Sequence, residues 1–121
     1  MESGSYRDGH GWEERAGYSR AVRRGSSIYV SGTTVSGRGV YVQTRDALRQ
    51  AVSAVEELGG GIRDVVRTRI YLVPGTDWEE AASAHADVLG AVSPANTTLF
   101  VHSLVGEEFL VEIEMEAILA R

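Results

Sequence analysis

FLVEIEMEAILAR, residues Phe109 to Arg121, changes character at every step. Val111, Ile113, Met115, Ala117 and Leu119 fall on one side of an extended chain. Leu110, Glu112, Glu114, Glu116 and Ile118 fall on the other. A period of two with branched apolar residues predicts a half-buried strand. Its three carboxylates then stand in a row, roughly 7 Å apart at a rise of about 3.3 Å per residue. Like charges so close need cations, solvent or a protonated member. At a cleft edge such a carboxylate is a general acid or base. On an open surface the same row is a solvated face with cross-strand ion pairs.

Working outward, Pro94 opens a strand from Asn96 to Leu104, and Val105 to Glu108 form the loop leading into the last strand. Asn96, Thr98, Phe100 and His102 share one of its faces. Upstream, DVVRTRIYLV (Asp64 to Val73) is a strand placing Val66, Thr68, Ile70 and Leu72 on one side and Val65, Arg67, Arg69 and Tyr71 on the other. Pro74-Gly75 breaks it. Thr76-x-x-Glu79 reads as a capping box opening a helix to about Leu89, with Trp78, Ala81, Ala82, His85, Val88 and Leu89 on its buried side. His85 there is a packed, hydrogen-bonded histidine. A longer helix spans about Thr44 to Leu58. Its positions Leu48, Ala51, Val52, Val55 and Leu58 recur at three and four, and Gly59-Gly60-Gly61 stop it. Before it come a short extended piece at Val40 to Val42, a hydroxyl-rich loop from Thr33, and a hairpin of Ser19–Arg23 and Ser27–Ser31 turning at Gly25-Ser26. Residues 1–16 are rich in Gly, Ser and charge without periodicity, and are expected to be a flexible arm.

These elements imply an α+β domain over residues 17–121: one mixed sheet with two helices on one face. The opposite face mixes Arg67, Arg69, Glu112, Glu114 and Glu116 with Tyr71, Phe100 and Ile118. Such a face suits a subunit interface with polar clefts.

The chain has 121 residues, 43% apolar and 24% charged, with a net charge of −5. That acidity speaks against a general nucleic-acid binder. There are no cysteines, so thiol and disulfide chemistry are excluded. No apolar run reaches the roughly 20 residues needed to span a bilayer, and the first residues lack a signal-peptide core; the expected location is the cytoplasm. His10, His85 and His102 show no metal-ligand spacing, so no metal site is expected.

Tyr18-Ser19-Arg20-Ala21-Val22, Ile28-Tyr29-Val30-Ser31-Gly32, Gln43-Thr44, the helix ending in three glycines, Asp64-Val65-Val66-Arg67-Thr68, Ser93-Pro94-Ala95 and Leu110-Val111-Glu112-Ile113-Glu114 follow one another in an order and spacing that resemble the Rid family, also called YjgF or L-PSP endoribonuclease-like. The resemblance covers about residues 18–120. It implies a chorismate-mutase-like fold, a homotrimer with clefts between subunits, and hydrolysis of reactive enamines and imines without metal or organic cofactor. In the best-understood members an arginine after Pro-Ala clamps the substrate carboxylate, and a glutamate on the last strand works with a water. Here that arginine is Asn96, which offers neutral donors instead of a charged fork. A helix asparagine of the deaminases corresponds to Ala82. Anchoring on Leu110-Val111 makes Glu112 the catalytic match; anchoring on Glu116-Ala117-Ile118 makes it Glu114, and the fuller match favours Glu112. Tyr18, Ser31 and Gly32 are the pocket residues so implied, with Asn96 and Thr98 contacting substrate where the clamp stood.

Three functions follow. The first is an enzyme acting on an imine, enamine or related small molecule of specialised metabolism, with a non-standard substrate. The second is a non-catalytic metabolite-binding or regulatory trimer. The third and weakest, a ribonuclease, lacks paired catalytic histidines and a basic stripe.

Overall fold

The computed structural model describes residues 3–9 and 11–120. His10 and the first two residues of the expected arm lie outside them. The elements are β1 (Ser3–Tyr6), α1 (Trp12–Ala16), β2 (Ala21–Arg24), β3 (Ser27–Thr33), α2 (Val40–Glu57), β4 (Val65–Leu72), α3 (Trp78–Leu89), β5 (Ala95–Phe100) and β6 (Val111–Ile118). Six strands form one mixed sheet in the order β1-β2-β3-β6-β4-β5. β4 and β5 pair in parallel, with α3 in the crossover that such a pair requires. This is the expected α+β class.

The alternation in β6 works as read. Val111, Ile113, Met115 and Ala117 are buried, and Glu112, Glu114 and Glu116 turn to the other face. The buried set meets Ile28 and Val30 of β3, Ile70 and Leu72 of β4, and Leu48, Ala51, Val52 and Val55 of α2 in one core. Each fully buried Leu or Ile there contributes about 1.5–3 kcal/mol.

Five expectations need correction. The first segment is not simply an arm: Ser3–Tyr6 pairs with β2, and Trp12–Ala16 is a helical turn ended by Gly17 at φ 79. Backbone pairing needs no apolar pattern, so the Gly- and Ser-rich composition concealed it. Val40 to Val42 are not extended. They open α2, because Gly39 at φ 90 turns the chain and accepts from the Gln43 N–H at 3.1 Å. Buried Gln43 then donates to the carbonyls of Gly37 and Glu108 and accepts from the Leu110 N–H. Tertiary bonds there override the β-branched preference. The capping box is replaced by Asp77, whose carboxylate accepts from the Glu79 N–H at 2.9 Å, while Thr76 donates to the Val73 carbonyl. On α3 the buried residues are Ala81, Ala84 and Leu89, with Trp78 and Ala82 exposed. Finally, a register shift between Val65 and Arg67 buries Val65 and exposes Val66, because an extra residue in a bulge reverses facing.

Candidate active site

The sheet face turned away from α2 carries the glutamate row, and each member has a different neighbour. Glu116 pairs with Arg69 at 2.8 Å. Glu114 accepts a hydrogen bond from the Tyr71 hydroxyl at 2.5 Å. Both partners lie on β4, whose register sets Arg69 opposite Glu114 and Tyr71 opposite Glu112. Glu112 has no hydrogen-bond or ion-pair partner among the described residues. Burial first, and the Glu114 charge second, raise its pKa above the usual carboxylate value, while Arg20 opposes them.

The β3 strand explains where the Glu112 carboxyl goes. Val30 lies opposite Met115 and Thr33 opposite Ile113, so β3 carries one extra residue between them, at Ser31-Gly32. Such a bulge re-aims its neighbours. Hydroxyls stitch it in place: Ser31 donates to the Ser19 carbonyl at 2.7 Å, and Thr33 donates to the Ser31 carbonyl at 2.8 Å. A Cβ at Gly32 would stand 1.9 Å from Glu112 Oε2. The glycine is thus required for the carboxyl to lie against the strand.

Glu112 and Gly32 line a groove of about 880 Å³ together with Tyr18, Arg20, Glu13 and Phe109. The size fits a small-molecule site. Arg20 donates from Nη2 to the Gly32 carbonyl at 2.7 Å, and its guanidinium carbon stands 6.0 Å from the Tyr18 ring. Glu13 is buried and accepts from the Asp8 N–H at 3.2 Å. Burial, then a side-chain hydrogen bond with Asp8, raise its pKa.

Of the residues expected in the site, Glu112, Gly32 and Tyr18 therefore meet. Ser31 supports the bulge and does not line the groove. Glu114 is engaged by Tyr71. Asn96 and Thr98 lie two strands away, on the helix-facing side, since Asn96 is paired with buried Thr68. Asn96 Nδ2 donates to Thr68 Oγ1 at 3.1 Å, and Thr98 donates to Asn96 Oδ1 at 2.8 Å. Thr68 Oγ1 also lies 2.8 Å from His85 Nε2, the donor of the two being set by the histidine tautomer. Burial lowers the His85 pKa, favouring the neutral ring and matching the packed histidine read from the sequence. Within one chain these residues do not reach the groove.

Arg20 and Glu13 are among several lining residues that the sequence did not single out. Arg20 was noticed only as part of a motif. Glu13 sat in a stretch without periodicity, although Gly17 at the end of Trp12–Ala16 is an ordinary helix-stop signal.

Over residues 11–119 the chain matches the family described as Endoribonuclease L-PSP. It belongs to that family. Among similar L-PSP family proteins, Rv2704 of Mycobacterium tuberculosis, whose crystal structure is described as that of a member of the highly conserved YjgF/YER057c/UK114 family, shares 40% identity. Its TM-score is 0.93, with 98% of this chain and 100% of that one covered. An uncharacterised protein of Streptomyces coelicolor is 38% identical over 116 residues, 90% of this chain and 87% of that protein. A RutC family protein of Pyrococcus abyssi is 29% identical over 110 residues, 84% of each. The Rid/YjgF family resemblance read from the sequence therefore holds, and the family match begins at Gly11, ahead of the boundary expected at residue 17. No group of His, Cys, Asp and Glu among the described residues is arranged to hold a metal. No helix among them is long and apolar enough to cross a membrane.

Proposed function

We propose that this L-PSP family protein is a Rid-like enzyme acting on an imine, enamine or related reactive intermediate at the Glu112 groove. Glu112 takes a proton from water as the oxygen bonds to the imine carbon. It returns that proton to nitrogen, and the carbinolamine then collapses to a carbonyl compound and ammonia. No metal or organic cofactor takes part. The observation that carries this reading is the condition of Glu112: half-buried, without a partner among the described residues and with its pKa raised, whereas Glu114 and Glu116 are engaged by Tyr71 and Arg69. A general base works best with a pKa near the working pH.

The working unit in this proposal is a cytoplasmic homotrimer from a branch without the carboxylate-binding arginine. Exposed Tyr29 and Ile118, each 51% accessible, and Leu99, 40% accessible, support burial of the open sheet face between copies. Asn96 and Thr98 contact substrate, on this reading, only from the edge strand of a neighbouring subunit.

The test is turnover of chemically generated imines by the wild type and Glu112→Gln. A loss of about 100-fold or more is expected for a missing general base. Equal rates would remove Glu112 from the mechanism. One observation favours a second reading, a binding or regulatory trimer: Asn96 replaces the arginine and is bonded to Thr68. Metabolite binding with no product over long incubation would select it.

A further inference from the structure

We infer that Arg20 is the anion-holding residue of the Glu112 groove, and that the ligand it receives is a carboxylate with an apolar body of aromatic size. This rests on the groove being the ligand site, and extends that reading to the class of ligand.

Among the described residues, Arg20 is the only basic one lining the groove. Its bond from Nη2 to the Gly32 carbonyl fixes the guanidinium next to the backbone on which the Glu112 carboxyl rests. Among the described residues Arg20 forms no ion pair, and its Nε is buried with no hydrogen-bond partner. A guanidinium has five N–H donors in a planar fork that matches a carboxylate. One bond to a carbonyl does not account for such a group in a partly desolvated place, and an unpaired charged donor there is unfavourable.

Glu13 and Glu112 attract Arg20 electrostatically but form no contact ion pair with it among the described residues. Both are displaced toward their protonated forms, by burial first and then by Asp8 and Glu114 respectively. Neither carboxyl moves in to pair with the arginine. The rest of the lining mixes apolar Trp12, Tyr18 and Phe109 with polar Thr34 and Gln50 and acidic Glu108. A cation fixed at one wall and aromatic faces around it describe an amphiphilic anion.

The probes are phenylacetate and its neutral isostere phenylacetamide, titrated calorimetrically into the full chain. The wild type is expected to prefer phenylacetate by roughly tenfold or more, as for a charge-assisted bond, and to lose part of that preference in high salt. Arg20→Gln is expected to bind both alike. Equal binding by the wild type, or a preference that survives in Arg20→Gln, would overturn the assignment. Should Arg20→Gln not fold, the Arg20 Nε–H resonance of the wild type decides. It must shift at saturation with phenylacetate and not with phenylacetamide; no shift with phenylacetate overturns the inference. These are binding measurements, so they stand apart from imine turnover. A protein without turnover that still shows an Arg20-dependent preference would sink the catalytic reading and leave this one.

Discussion

Glu112 and Glu114 are two residues apart on one face of β6, and their surroundings differ in kind. On the β4 side, a phenol and a guanidinium hold Glu114 and Glu116 in place. On the β3 side, a bulge and a glycine give Glu112 room without giving it a partner. The same residue type at the same spacing thus becomes surface pairing at one end of the strand and a candidate reactive group at the other. What separates them is the strand alongside. Alternation puts a carboxyl on a face; its neighbours across the sheet decide whether that carboxyl is committed.

The largest test of this contrast is in turnover. Glu112→Gln should lose about 100-fold or more in kcat/KM toward generated imines, and Glu114→Gln no more than about tenfold. Comparable losses from both would erase the distinction. Gly32→Ala should sharpen it. The added Cβ meets the mobile end of Glu112, so the fold survives, with a change in denaturation midpoint worth under about 1 kcal/mol. The carboxyl must move, however, and turnover should fall roughly tenfold to 100-fold, as for a misplaced reacting group.

A smaller effect lies in the pH dependence of stability. The folded-state pKa of Glu112 is raised by burial above the ordinary glutamate value of 4.5. Such a group contributes stability that is complete below 4.5 and is lost as pH rises through the folded value. Glu112→Gln removes that loss. It should be more stable than the wild type at neutral pH, with the difference closing as pH falls below 4.5, as read by urea denaturation at several pH values. The smallest expected effect belongs to the committed end. Arg69→Ala breaks a pair whose side chains are 37% and 31% accessible, and should cost about 0–1 kcal/mol without changing imine turnover.

How much of this was legible depended on whether a residue's setting is local. The β6 alternation and the α2 stripe follow from spacing alone, and both hold. The start of α2 was misread because Val40 and Val42 favour strands, while the bonds that make them helical come from Gln43 to a distant loop. For β5 the period of two grouped Asn96, Thr98 and Phe100 correctly, but not the side they face. All six of its residues are exposed, so no buried side shows in the pattern. Val65 and Val66 were assigned to the wrong faces because a bulge leaves no mark in hydrophobicity. The choice among the three glutamates was likewise beyond alternation. It needed Tyr71, Arg69 and the extra residue at Ser31-Gly32, which are brought alongside only by the sheet.

The opening segment has a consequence for how such a groove can change. Asp8, Trp12, Glu13 and Ala16 all come from the first sixteen residues and make up much of one wall, while none of the four belongs to the central core. On the proposed reading, substitutions at these four positions are expected to change ligand preference while leaving the central core and Glu112 in place.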